Sequence, residues 1–351
     1  MSETPPVFDG HNDAALAVWR GETTLDALRD GREDGHLDLP RARAGGLAGG
    51  AFAVFVPSGE QFAAGRDENR VETPDGYRIR RPPPLAPPFA ADAADEMLAV
   101  LDDLVATEGV RRVETAADLR ACVDGEDFGV LVHLEGAEPV HPSLSNFDDY
   151  YDRGVRSLGL AWSRPTAFAD GVPFRYPSGP DVGGGLTDRG RRLVARCNDA
   201  GVLVDCAHLP EAGFWDVHDA SRDPLVVSHA GAHEQCHSSR NLTDEQLDAV
   251  ADTGGLVGLT FAAGALRADG SREPDAPVDE LLRHVDHVVD RVGVDHVALG
   301  SDFDGAAILD GVGDASGVPR IFDALRDAGY GDRDLRKLAH GNWLRVCEAS
   351  W

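Results

Sequence analysis

A chain of 351 residues with 42% hydrophobic residues can bury a large core, and its 61 acidic against 33 basic residues give a formal net charge of −28. Such an acidic surface repels nucleic acid and anionic membranes, so we expect neither as a partner. Lys337 is the only lysine, and this composition is typical of a protein that works in concentrated salt, where screening makes self-repulsion tolerable.

The cysteines and the N-terminal residues indicate the compartment. The five cysteines form no C-x-x-C pair and are expected to be reduced, mostly buried thiols. The first residues, MSETPPVFDG, lack the basic and apolar regions of a signal peptide. No apolar run approaches the roughly 18 residues of a membrane span. We therefore expect a cytoplasmic protein, and a homodimer is compatible with the sequence.

Eight apolar segments, each bounded by turn or cap residues, are predicted as strands. In chain order they span residues 7–13, 51–56, 129–136, 155–162, 201–208, 224–230, 254–261 and 296–305. Helical patterns separate most of them. One begins with a capping box of Thr243 and Gln246 and ends at Gly254, and another covers residues 279–293. Strands alternating with helices indicate parallel strands joined by crossovers.

Eight such units predict an α/β fold, a closed (β/α)₈ TIM barrel that forms a single domain over residues 1–351. A doubly wound open sheet is the structural alternative. Residues 57–90, with seven prolines, and the polar residues 264–277 interrupt the repeat. Both segments follow a strand, so we expect long loops at the mouth of the barrel, either lids or solvated insertions without a role.

Ionisable residues end five of the predicted strands, directly after apolar runs. They are His11 and Asp13 on the first strand, Glu135 on the third, His208 on the fifth, His229 on the sixth and Asp302 on the eighth. In a barrel these six residues converge on the mouth where barrel enzymes carry their catalytic groups. His133, two residues before Glu135, points to the same side and is expected behind the ligands. His284 and His287, on a predicted helix, are expected at the surface.

Three imidazoles and three carboxylates in one place need a counter-charge, which a pair of divalent cations supplies. Mixed histidine and carboxylate ligands suit Zn²⁺, and also Mn²⁺ or Co²⁺. Glu135 is the candidate bridge, because one carboxylate can give an oxygen to each of two ions. A water between the ions would lose a proton near neutral pH and become the nucleophile. Each residue alone has a structural explanation, and only the whole set carries the prediction.

These residues resemble the membrane (renal) dipeptidase family, zinc metallopeptidases with an amidohydrolase-like barrel. The resemblance extends from DGHND at residues 9–13 to GNWLRV at residues 341–346. Its most specific part is LEGAEPVHPSLSNFDDYYDRGVR at residues 134–156, in which Tyr151, Gly154 and Arg156 match the family pattern. Phe147 stands where a leucine is usual. GVLVDCAH, VVSHAGAHEQCHSSRN and GSDFDG also resemble family blocks.

The resemblance implies a binuclear zinc site and a reaction. One ion would be held by His11 and Asp13 and the other by His208 and His229, with Glu135 bridging. Asp302 matches the acid/base carboxylate of the family, which takes a proton from the water that bridges the two metals and so leaves a metal-bridging hydroxide. The same carboxyl group then passes the proton to the leaving amine. Arg240 matches the arginine that binds the substrate's free carboxylate, a role that suits a guanidinium. The expected substrate is a small peptide, a dipeptide with a free C-terminal carboxylate.

One departure from the family lies at the end of the fourth strand, where known members carry a histidine that contacts the bound carbonyl oxygen. This chain has AWSRP, with Trp162 at that position of the substrate site. An indole donates one hydrogen bond but carries no proton or charge, and loss of one oxyanion donor costs about 10²–10³ in rate. Two alternatives therefore stay open: another hydrolase acting on an amide, lactone or ester, and a barrel that binds metal or peptide without catalysis.

Overall fold

Eight parallel strands form the centre of the molecule. The structure is a computed structural model that describes residues 4–58 and 69–351. We number the barrel strands in chain order as β1 Val7–Asn12, β2 Leu47–Val54, β3 Phe128–Leu134, β4 Val155–Gly159, β5 Leu203–Asp205, β6 Val226–Ala230, β7 Leu256–Leu259 and β8 Val297–Leu299. Each strand pairs in parallel with the next one along the chain.

Strands β1 and β8 meet just beyond their C-terminal ends. The backbone N–H of Asp13 donates to the carbonyl oxygen of Phe303 at 2.8 Å, and that of Asp302 donates to His11 at 3.0 Å. The sheet is therefore nearly closed into a barrel. The predicted barrel is confirmed, and the open doubly wound sheet is wrong.

Helices connect the strands, and the capping box predicted for one of them is confirmed. The hydroxyl of Thr243 accepts from the N–H of Gln246 at 3.3 Å, and Gln246 Oε1 accepts from the N–H of Thr243 at 3.0 Å. Within the two described ranges, no helix has the length and apolarity that a membrane span requires. In the part of the chain that the structure describes, the α-helices are Ala14–Trp19, Leu25–Asp30, Leu39–Ala44, Pro87–Val105, Ala116–Asp124, Phe147–Asp152, Asp188–Ala200, Glu211–Ala220, Asp244–Asp252, Ala263–Leu266, Asp279–Val292, Val318–Asp327, Asp332–Arg336 and Asn342–Ser350.

The segment predicted as a loop over residues 57–90 contains structure of its own. Strands Arg70–Thr73 and Gly76–Ile79 form an antiparallel hairpin, to which strand Arg175–Tyr176 adds a third member. From Pro87 the chain is already helical, since proline in the first turn of a helix forfeits no hydrogen bond. Residues 59–68 of this segment lie outside the described residues. A further short strand, Val110–Arg112, pairs with β3.

Helix Asp279–Val292 does not present both of its histidines to solvent. His284 is fully buried: its Nδ1 accepts from the N–H of Ala232 at 2.9 Å, and its Nε2 lies 2.9 Å from the carbonyl oxygen of Leu266. The surface prediction is wrong for His284, because backbone groups of two neighbouring loops need its ring as a partner. His287 is half-buried and lies 2.7 Å from Asp244 Oδ1.

An apolar cluster fills the end of the barrel opposite the predicted site. Trp343, in the C-terminal helix, is 2% exposed, and its ring centroid is 6.1 Å from that of Phe8. Seven of the eight barrel strands contribute a side chain, namely Phe8, Ala51, Leu131, Leu203, Val226, Leu256 and Ala298. A larger apolar cluster packs the remaining helices around the sheet.

Candidate active site

The structure brings all six strand-end residues together at the C-terminal mouth of the barrel. Five are buried and Asp302 is half-buried. His11 lies near the end of β1 and His229 in β6, while Asp13, Glu135, His208 and Asp302 stand just after β1, β3, β5 and β8.

Glu135 lies at the centre of this cluster. Its Oε1 is 2.9 Å from His208 Nε2 and 3.8 Å from His229 Nε2, and its Oε2 is 3.7 Å from His11 Nε2. Asp13 Oδ2 is 3.5 Å from His11 Nε2. The two oxygens of one carboxylate thus lie near histidines from different strands, and the ring centroids of His11 and His229 are 3.9 Å apart.

The residues of the cluster fit a divalent metal. Two sets of three ligand atoms lie within 4.8 Å of one another: His11 with Glu135 and His229, and His11 with Asp13 and Asp302. Both ring nitrogens of His11 and Oδ1 of Asp13 are buried without a hydrogen-bond partner among the described residues. Buried polar atoms left unpaired are costly. A divalent cation would satisfy imidazole nitrogen and carboxylate oxygen together.

The charges of the cluster favour the same conclusion. Burial lowers the pKa of His11, but the carboxylates of Glu135 and Asp13 outweigh it and raise that pKa to about 10. Burial raises the pKa of the Glu135 carboxyl well above its usual range, and repulsion from Asp13 and Asp302 adds to the effect against the attraction of His11. Both shifts show that this cluster favours added positive charge, of the kind that a metal ion brings.

Hydrogen bonds behind two of the histidines orient their rings. Ser228 Oγ lies 2.8 Å from His229 Nδ1 and donates to Asp205 Oδ2 at 2.5 Å, so it accepts from the ring and leaves His229 Nε2 facing the cluster. Ser163 Oγ lies 3.0 Å from His208 Nδ1. Burial lowers the pKa of His229 well below its usual range, with further repulsion from His11, so the ring is neutral, as a metal ligand must be.

Asp205 and Ser228 were not predicted from the sequence as part of the site, although both carry a signal. Asp205 ends the apolar run GVLVD, and Ser228 directly precedes His229. His133, expected behind the ligands, packs its ring 5.6 Å from the His11 ring, and its Nδ1 lies 2.9 Å from Ser157 Oγ. Burial lowers the pKa of His133 to about 4, which makes it a neutral packing partner.

Arg240 and Trp162 line the cavity above the cluster. Arg240 Nη2 lies 3.1 Å from Nε2 of both His208 and His229, and its Nη1 is buried without a partner among the described residues. Burial lowers the pKa of Arg240 to about 10, so the guanidinium stays charged at neutral pH. The Trp162 ring lies 5.7 Å from that of His208 and 4.9 Å from that of Phe55.

The turn after β8 has an unusual backbone. Asp302 and Asp304 adopt φ angles of 62° and 66°, in the left-handed region that non-glycine residues seldom occupy. The Asp304 carboxylate pairs with Arg32 and accepts from the N–H of His36 at 2.7 Å, which holds the turn in place. The turn positions the Asp302 carboxylate against His11 and Asp13.

A nearly closed barrel whose mouth gathers histidines and carboxylates fit for a divalent metal defines a metal-dependent hydrolase. The model of the family Membrane dipeptidase (Peptidase family M19) matches residues 1–350, and the chain belongs to this family. It is therefore a metallopeptidase that hydrolyses dipeptides, as the resemblance predicted.

Individual relatives are similar to this chain over most of its length. A metallo peptidase from Rhodobacter sphaeroides, solved with a phosphinate mimic of L-Ala-D-Ala, has a TM-score of 0.95 and 43% identity over 99% of this chain and 100% of its own. An uncharacterized protein from the pqqA 5′ region of Klebsiella pneumoniae is 40% identical over 73% of this chain and 95% of its own length. Dipeptidase 3 of Rattus norvegicus is 28% identical over 97% of this chain and 64% of its own length.

Proposed function

We propose that the chain hydrolyses dipeptides with a free C-terminal carboxylate, using two zinc ions and one carboxyl group as general acid and base. The observation that carries the proposal is the position of Glu135, whose Oε1 faces His208 while its Oε2 faces His11. A carboxylate so placed can offer one oxygen to each of two cations.

The metal ligands follow from this central carboxylate. One ion would be held by His11 and Asp13, the other by His208 and His229, and Glu135 would be shared. Mixed imidazole and carboxylate ligands favour Zn²⁺. When bound, the ions would supply a Lewis acid for the scissile carbonyl and a nucleophilic water at neutral pH.

Asp302 is the proposed general acid and base. It lies within reach of His11 and Asp13 and also lines the cavity, so it meets both the cluster and the substrate. Its carboxylate would accept a proton from the attacking water and then give that proton to the leaving amine nitrogen. The amine then departs neutral.

Arg240 is the proposed partner of the substrate's carboxylate. Its charged guanidinium is buried beside His208 and His229, and one nitrogen has no partner in the described part of the chain. A planar guanidinium can bind a carboxylate with two parallel hydrogen bonds. Because the arginine lies next to the ligands, the carboxylate it binds would be one residue from the scissile bond, which selects dipeptides.

Trp162 is the proposed apolar wall of the substrate site. Its ring packs against Phe55 and Phe174 and faces the ring of His208. It would contact the substrate without transferring a proton. Polarisation of the scissile carbonyl would then depend on the metal ions.

The first experiment measures amine release with ninhydrin from a panel of L,L and L,D dipeptides. Protein reconstituted with Zn²⁺ in molar KCl should hydrolyse at least one of them and lose activity on chelation. Asp302→Asn should lower kcat by about 10²–10⁴-fold, the usual contribution of a general acid or base. Elemental analysis should still find two metal ions per chain.

The matched control is Asp310→Asn, the same chemical change at an exposed carboxylate eight positions further on. This variant should keep wild-type turnover. Dipeptide hydrolysis that survives in Asp302→Asn would contradict the role of Asp302. A single ion per chain would contradict the shared role of Glu135.

A further inference from the structure

The cavity above the cluster carries a charge balance opposite to that of the whole chain. Six arginines and four carboxylates line it within the described residues, whereas the chain has 33 basic and 61 acidic residues. Three of the four carboxylates, Asp13, Glu135 and Asp302, belong to the cluster of candidate metal ligands. The fourth, Asp304, pairs with Arg32. Of the arginines on the rest of the wall, Arg81 pairs with Asp170 and Arg20 with Glu22, so the wall is only partly neutralised.

Besides Arg240, five arginines line the cavity, and we call them the arginine rim. They are Arg20, Arg80, Arg81, Arg175 and Arg272. Arg20 ends the first helix, and Arg272 lies in the polar segment 264–277. The other three come from the small antiparallel sheet and the residues that follow its hairpin.

Part of the rim lacks compensating charge. Arg80 and Arg175 are exposed and have no carboxylate partner in the described ranges. Arg175 also lies directly opposite Arg78 across paired strands, and like charges in this arrangement destabilise a sheet. Burial lowers the pKa of Arg81, and the nearby charge of Arg175 lowers it further. An anion bound in the cavity beside Arg81 and Arg175 would relieve part of this repulsion.

The rim is fixed relative to the proposed carboxylate site. The N–H of Arg175 donates to Ser239 Oγ at 2.9 Å, and the N–H of Ser239 donates to the carbonyl oxygen of Arg175 at 3.1 Å. Ser239 directly precedes Arg240. The two hydrogen bonds therefore join the rim strand to the loop that carries Arg240, so the spacing between the two cationic sites is built into the backbone.

We propose that the arginine rim binds a second carboxylate of the substrate, so that the preferred dipeptides carry an aspartyl or glutamyl side chain. This inference rests on the proposed function, in which Arg240 takes the main-chain carboxylate. An acidic side chain would form charge-assisted hydrogen bonds with the guanidinium groups of Arg80 and Arg175, which have no carboxylate partner in the described ranges. The rim would also attract an anionic substrate that the acidic surface otherwise repels.

The test compares acid and amide substrates of nearly the same shape. Ala-Asp is paired with Ala-Asn, and Asp-Ala with Asn-Ala, each in the stereochemical form that the wild type turns over fastest. For at least one pair, kcat/KM of the acid should exceed that of the amide by about tenfold, the usual worth of hydrogen bonds to a charged group. Replacing both Arg80 and Arg175 by glutamine should bring the ratio close to one.

Arg222→Gln is the matched control. Arg222 is an exposed arginine that pairs with Asp199 and does not line the cavity, so its replacement should leave the acid-to-amide ratio unchanged. A wild-type ratio of one or less, with neutral dipeptides hydrolysed, would overturn the inference and leave the proposed function intact. A high ratio that persists in the double variant would overturn the role of the rim. Failure to hydrolyse any dipeptide would overturn both.

Discussion

The two ends of the barrel are built from the same strands but differ completely in chemistry. At one end, β1 contributes Phe8 and β6 contributes Val226 to an apolar cluster around Trp343. At the other end the same two strands contribute His11 and His229 to the cluster of candidate metal ligands. About three residues along each strand separate a side chain that stabilises the fold from one that is costly to bury.

This difference indicates a division of labour. The apolar end gains free energy from burial alone, since its side chains need no partners. The mouth gathers charges, and buried polar atoms without partners among the described residues, which are costly to bury and which a bound cation would stabilise. If the division holds, substitutions at the apolar end should change stability without changing catalysis. Substitutions at the mouth should change catalysis without changing stability.

The largest effect is expected at the apolar end. Trp343→Ala removes a side chain that is 2% exposed and touches Phe8, and it should lower the free energy of unfolding by about 3–5 kcal/mol. At a temperature where the variant stays folded, its kcat/KM should remain close to the wild-type value. Denaturant unfolding in molar KCl and dipeptide turnover measure the two quantities.

Trp343→Phe is the conservative partner of this variant and should lose less stability, because most of the ring volume remains. If Trp343→Ala instead stayed stable but lost turnover, the two ends of the barrel would be coupled, contrary to the division proposed above.

A second prediction concerns His284, which lies in helix Asp279–Val292, away from the candidate metal ligands, and bonds to loops that follow β6 and β7. Burial lowers its pKa to about 4, from an ordinary 6.5. The unfolded chain therefore binds a proton more readily than the folded one, and stability rises with pH through this window. The contribution is complete above about pH 6.5 and is lost as the pH falls towards 4, a change on the order of 3 kcal/mol.

His284→Gln should therefore show a flatter dependence of unfolding free energy on pH between 4 and 6.5 than the wild type. His237→Gln, at an exposed histidine, should keep the wild-type slope. Equal slopes in all three proteins would mean that other groups cause the acid sensitivity of this fold.

The features of the fold and the site that could be predicted from the sequence are those that depend on a single strand. An apolar run followed at once by His208 or Asp302 indicates both a strand and its polar end, whatever the neighbouring strands are. The same reasoning failed for His284, because its burial depends on backbone groups in two other loops. The arginine rim could not be predicted either, since Arg80 and Arg175 line the same cavity only because a hairpin pairs with a distant strand.

The register of the strands further limits what can be predicted from the sequence. Strict alternation would place Phe8 and His11, three residues apart, on opposite faces of β1. Both nevertheless contribute to the barrel interior, and the pairing of β1 with β2 shifts register between Asp9 and Asn12. Such an irregularity re-aims a side chain, as is common next to active sites, and no pattern of apolar residues predicts it.

The smallest predicted effect concerns a residue that orients a proposed metal ligand and is not itself a ligand. Ser228→Ala removes the hydroxyl between His229 and Asp205 but keeps the backbone N–H of residue 228, which donates to Asp205 Oδ1 at 2.8 Å. With the ring free to turn, Zn²⁺ affinity measured by chelator competition should fall by about 10–100-fold. Ser157→Ala is the matched control, because Ser157 bonds His133, which is not a proposed ligand, and its affinity should stay near wild type. Unchanged affinity in Ser228→Ala would mean that packing alone orients His229, and that polar residues behind the cluster add little to the metal site.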